Sequence, residues 1–158
     1  MGPTPAVVSI ALIVHILSVV VWVGGMFFAL IVLRPASGPL EPGPRLELWA
    51  RTLSRFFAWV IAAIVAILAS GYAMVFSQFG GFAGLPIYVN AMMGLGLAMM
   101  LLFFHIYFAP FRRLRIAVSR RDYAAAGRQL GQIRWLVTAG LTLGLVTIAI
   151  ASGGPYWG

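Results

Sequence analysis

Cysteine and lysine do not occur in this 158-residue chain, and only three acidic residues, Glu41, Glu47 and Asp122, are present. Without thiols there are no disulfides, no thiolate metal site and no c-type haem attachment. Charged residues make up 9% of the sequence against 62% hydrophobic ones, a balance that excludes a soluble globular domain and describes a chain solvated by lipid. The long apolar runs contain no carboxylate, so the usual ingredients of a proton or sodium pathway are missing. No nucleophile–base pair, carboxylate pair or phosphate-cradling glycine loop is recognisable, and nothing supports catalysis of the kind soluble enzymes perform.

What is present is apolar length. A spanning helix needs about 20 predominantly apolar residues. Four stretches, about 6–33, 56–79, 87–111 and 135–152, meet or approach that length without an Asp, Glu, Lys or Arg. They predict an all-α fold, an integral membrane four-helix bundle with residues 1–158 forming a single transmembrane domain. All the basic side chains are arginines. Arg34, Arg45, Arg51 and Arg55 lie between the first and second runs; Arg112, Arg113, Arg115, Arg120, Arg121, Arg128 and Arg134 lie between the third and fourth. The positive-inside rule then places both loops in the cytoplasm and both termini outside. Basic loops at a membrane attract anionic lipid headgroups, which explains the +8 net charge without a nucleic-acid partner. No basic residue precedes the first run, whereas a cleavable signal needs one, so the first span is expected in the mature protein.

The connections carry their own patterns. Residues 34–55 are rich in proline and glycine at first, then place Leu46, Trp49, Leu53 and Phe56 at helical spacing, a loop followed by a helical lead-in. "SQFGGFAGLP" reads as a short outer loop. "FRRLRIAVSRRDYAAAGRQLGQIRW" sets Leu114, Val118, Tyr123, Leu130 and Ile133 among charges, which predicts a short amphipathic helical hairpin on the inner surface. Small residues recur on one side of each later span: Ala62, Ala66, Ala69 and Ala73, then Gly94 and Ala98, then Gly140 and Gly144. Such faces let helices approach closely, within the bundle or in a homo-oligomer or larger membrane complex. Tyr88, Trp135, Tyr156 and Trp157 stand where an aromatic belt belongs.

Ionisable groups inside a membrane are functional candidates by default, and here they are His15 and His105, tyrosines aside. On a helix, Trp22 projects about 20° to one side of His15 and Met26 about 20° to the other. Imidazole and thioether beside an aromatic ring suit a soft metal or a flat macrocycle, that is, copper or haem iron. The same three residues also read as a histidine bonded to a neighbouring helix with Trp22 and Met26 simply packed. In the third span Gly94, Ala98 and Leu101 fall within about 40° of His105, while Met92, Met93, Met99 and Met100 lie roughly 120° or more away. His105 is therefore expected to face a close-packed interface, with the methionines as lipid-facing or gap-filling groups. The two histidines differ in depth by roughly 15 Å. Axial ligands of one metal stand only ~4 Å apart, so separate sites are expected, with His15 the better ligand. Arg51, Arg55 and Trp59 recur every four residues and, with Arg34, suit propionates or lipid phosphates; snorkelling to the interface explains them equally.

"LIVHILSVVVWVGGMFFALIVLRPA" and "MGLGLAMMLLFFHIYFAPFRRLRIAV", with the "IRW" opening the fourth span, resemble small members of the copper-resistance D (CopD) family of bacterial inner-membrane proteins. The resemblance implies copper handling, usually uptake from the periplasm in concert with a periplasmic copper carrier. His15 and Met26 would receive Cu(I) from outside, with His105 as an inner relay. More distantly, the first-span histidine with its Trp-x-Gly and the aromatic-His ending of the third span resemble HemJ-type protoporphyrinogen oxidases. That likeness implies haem b, with His15 as axial ligand and Trp22 flanking the porphyrin. Those oxidases also use a third-span lysine, which this chain lacks. A non-catalytic membrane subunit is the third reading.

Overall fold

The computed structural model describes residues 5–156. Among these, four helices are long and apolar enough to cross a membrane: α1 (Ala6–Ala36), α2 (Pro42–Phe79), α3 (Ile87–Ser119) and α4 (Tyr123–Tyr156). Helices are the expected solution, because in lipid every backbone N–H and C=O must be satisfied within the segment. α1 packs along α2 and α3 along α4, and contacts from α1 and α2 to α4 join the two pairs into one bundle. Trp157 of the expected aromatic belt lies outside the described residues.

Each helix outruns the hydrocarbon. At 1.5 Å per residue the 38 residues of α2 extend for about 57 Å, against a hydrocarbon core of about 30 Å. The surplus lies at the arginine-bearing end, where Leu46, Trp49, Leu53, Leu114, Ala126, Leu130 and Ile133 form a buried extension of the bundle core. The expected lead-in to the second span is thus the first part of α2. The expected surface hairpin takes another form: its two arms are the ends of α3 and α4, continuous with the spans. Leu114 and Ile133 are buried in this core, so the amphipathic pattern there reports helix-on-helix packing.

The helices run on past the predicted span ends, which the first arginines set, and through two prolines. Residues Phe28–Leu33 and Tyr107–Phe111 wind as π-helix, the first leading to Arg34-Pro35 and the second containing Pro110. Proline lacks an N–H and clashes with the carbonyl four residues back, and a local π turn relieves that conflict without ending the helix. The Arg34 N–H accordingly reaches back five residues to the Ala29 carbonyl.

The loops are tight. Gly80, at φ 68°, ends α2 in the left-handed conformation that glycine adopts without a Cβ penalty. At the α3–α4 turn the Asp122 N–H bonds the Ala117 carbonyl and the Arg121 N–H bonds the Val118 carbonyl, a Schellman closure. The Asp122 carboxylate then accepts from the Ala125 N–H at 2.9 Å and caps α4. Arg121 occupies the left-handed position, φ 57°, that glycine would normally fill. Arg121→Gly is therefore expected to stabilise the protein by about 1 kcal/mol, seen as a raised thermal midpoint in detergent.

Candidate functional site

One face of α1 carries the candidate chemistry. Trp22 and Met26 are each only 5% exposed, and His15, on the same side, is half-buried. His15 Nδ1 lies 3.0 Å from Ser70 Oγ on α2. Ser70 is itself buried, and its hydroxyl donates to the Ala66 carbonyl at 2.6 Å. A hydroxyl has one proton to give, so while Ser70 donates to Ala66 its oxygen is placed to accept from His15 in the tautomer protonated at Nδ1. That tautomer leaves the Nε2 lone pair unused by Ser70, and a partner on the other ring nitrogen is how ligating histidines are oriented. Gly71 adjoins the ring, 3.5 Å from His15 Cε1 to where a Cβ would stand.

Below His15 the face runs into the bundle centre. Trp22 meets Phe103 edge-on at 6.2 Å, and Phe103 meets Phe57 at 5.3 Å. Beside them is a void of about 20 Å³ lined by Trp22, Met26 and Met99 together with aromatic and aliphatic side chains. It has room for about one water-sized occupant. Met26 Sδ lies 3.3 Å from where a Cβ on Gly140 would stand, and Met99 Cε 3.2 Å from the equivalent point on Gly144. The two α4 glycines thus form a groove that admits methionine side chains from α1 and α3. Met26 lies roughly 16 Å along the helix from His15, so the two cannot hold one ion.

His15, Trp22 and Met26 thus share a face as projected. α3, however, is turned the other way from expectation. His105 is exposed, as are Gly94 and Ala98, and Leu101 is 64% exposed, whereas Met99, Met100, Phe103 and Ile106 are buried. The large side chains win the interior because Phe103 meets Phe57 and Trp22, and a glycine–alanine face offers fewer dispersion contacts. His15 and His105 are not brought together. Arg51 and Arg55 are exposed along α2, with Arg51 3.9 Å from Glu47 and Trp59 pointing outward. Arg34 instead joins Arg45 and Arg134 around a different cleft. Sequence reasoning did not single out Met99, Ser70, Arg45 or Arg134 for these positions. The nearest signal was Gly140–Gly144 spacing, which marks a groove on α4.

The donor set and the space discriminate between occupants. A cofactor-sized ligand is usually buried in a pocket of about 300–1,000 Å³, and the void beside Trp22 is about 20 Å³. The roomier cleft at the arginine-bearing end has no histidine in its lining. Neither of these two spaces has His15 in its lining. Among the described residues no group of three or more His, Cys, Asp or Glu side chains gathers that could hold a metal ion.

A family model described as copper resistance protein D matches residues 50–153, spanning most of α2 and all three transmembrane passages from α2 onward. The chain belongs to the CopD family. No curated protein and no solved structure matches it. With its four apolar helices, this CopD-family member is a multi-pass membrane protein. The matched region includes Ser70, Met99, Gly140 and Gly144, while His15, Trp22 and Met26 stand on the helix before it.

Proposed function

We propose that this CopD-family protein passes Cu(I) into the membrane interior, with His15 as the receiving group and Met26 and Met99 as the inner station. The observation that carries the reading is the central void: the lone-pair donors among its lining side chains are two thioethers, Met26 and Met99, with no carboxylate or imidazole. Thioether is a soft ligand and selects Cu(I) over the harder divalent ions. Trp22, whose indole N–H only donates, would offer its ring face to the cation. Copper here is the cargo. The arginine-bearing loops argue for a cytoplasmic location of that end in a bacterial inner membrane. His15 then lies in the periplasmic half, where a copper carrier would deliver.

The test is a chelator-competition titration of Cu(I) on protein in nanodiscs. Wild type is expected to bind Cu(I), with Ag(I) competing and Zn(II) not. Met26→Leu/Met99→Leu preserves volume and should leave the fold intact, yet weaken Cu(I) binding by at least about tenfold, about 1.4 kcal/mol. His15→Gln is expected to slow copper entry into vesicles while leaving equilibrium binding at the inner station unchanged. Equal Cu(I) affinity in the double-leucine variant and wild type would remove the thioether station.

A further inference from the structure

A cleft of about 520 Å³ opens at the arginine-bearing end of the bundle, where the end of α1, the turn at Ser37 and Gly38, and the early turns of α2 and α4 meet. Three guanidiniums from three different helices line it: Arg34, Arg45 and Arg134. No acidic side chain does so: Glu47 faces Arg51 on the exposed side of α2, Asp122 caps α4, and Glu41 is exposed just before α2 without lining the cleft. Arg34 and Arg45 repel Arg134. Arginines that merely snorkel would spread apart into water; here Arg45 and Arg134 are half-buried beside one cavity, while Arg34, which also lines it, is exposed. Converging like charges with no counter-charge raise the energy of the fold unless an anion sits among them.

The remaining wall is apolar and fixed. Leu30, Trp49 and Leu130 contribute to it. Ser37, 2% exposed, donates to the Arg34 carbonyl at 3.1 Å and accepts from the Trp49 indole N–H at 3.0 Å, tying the end of α1 to α2. The π segment before Arg34 carries the helix past Pro35 and so sets where that guanidinium begins.

We propose that this cleft is a binding site for a phosphate group, and that its apolar wall selects the headgroup of an anionic phospholipid. Guanidinium forks match phosphate oxygens bidentately, and three arginines from three helices line this one cavity. The wall of Leu30, Trp49 and Leu130 suits the glycerol and first acyl carbons behind it.

Native mass spectrometry and thermal unfolding of the full chain, reconstituted with phosphatidylglycerol or with phosphatidylcholine, test this. Wild type is expected to retain a phosphatidylglycerol adduct and to unfold later with that lipid than with phosphatidylcholine. Arg34→Gln/Arg45→Gln/Arg134→Gln should reduce the adduct at least about tenfold, about 1.4 kcal/mol, and abolish the lipid-specific thermal shift. Arg51→Gln/Arg55→Gln, which removes charge from the exposed side of α2, should preserve both. Arg134→Lys keeps the charge but loses the fork, and is expected to fall between wild type and the triple variant, which separates recognition from misfolding. Stabilisation by millimolar inorganic phosphate without lipid, lost in the triple variant, would support the phosphate site and overturn its selection of a lipid. Equal adducts and shifts in wild type, the triple variant and the exposed-pair variant, with no effect of inorganic phosphate, would overturn the proposal.

Discussion

Phe57→Ala is expected to destabilise the protein by about 3 kcal/mol or more. Phe57 is 2% exposed and sits where α2 crosses α3. Its ring meets Phe103 at 5.3 Å and Phe111 at 4.8 Å, both edge-to-face, and Tyr107 at 6.3 Å. Lipid is as apolar as the interior, so burial from water supplies little of this energy within the bilayer. What is lost is dispersion and aromatic geometry, plus the cavity left by a ring whose neighbours on α3 cannot collapse together. That cavity would merge with the small void beside Met26 and Met99, which Phe57 also lines. Chemical unfolding in mixed micelles should therefore show a lower midpoint for Phe57→Ala. Trp59→Ala, a larger deletion at a side chain that is 66% exposed, should remain near wild type. Equal losses for the two would mean that the aromatic cluster does not hold α2 against α3.

How much of this was legible depended on whether a feature had to contrast with lipid. The four spans were readable because lipid demands long uncharged helices, and the arginines stood out against them. The helix ends were not, because the uncharged runs stop at Arg34 and Arg112 while the helices continue past both. The inward face of α1 was readable because His15, Trp22 and Met26 recur at helical spacing in a mostly aliphatic helix. α3 offers no such contrast: glycine, methionine and phenylalanine alternate around it, and all are acceptable to lipid or to a core. The small residues therefore pointed His105 inward, whereas the aromatic cluster around Phe57 turns it out. The arginine cleft was hidden for another reason. Arg34, Arg45 and Arg134 are joined by tertiary packing of three helices, and no spacing along the chain records that.

Gly144→Leu is expected to be the most disruptive glycine substitution in the central groove, and Gly94→Leu to be nearly silent, although both glycines belong to small-residue faces. A Cβ on Gly144 would stand 2.9 Å from Val23 Cγ2 and 3.2 Å from Met99 Cε. Met99 can swing its terminal methyl aside, but Val23 is β-branched, buried and held in one rotamer by its own helix. A leucine there must push α4 away from α1, an overpacking cost of about 3 kcal/mol. At Gly94 nothing lies within 4 Å of the same point. Its leucine would enter lipid and replace a residue of poor helix propensity, which offsets any loss by about 1 kcal/mol. Unfolding in mixed micelles distinguishes the pair. Gly144→Leu should also displace Met99 and weaken Cu(I) binding alongside stability, because the same groove seats both. If Gly94→Leu proved the more damaging of the two while the monomer remained folded, the exposed face of α3 would be packed against another chain, and His105 with it.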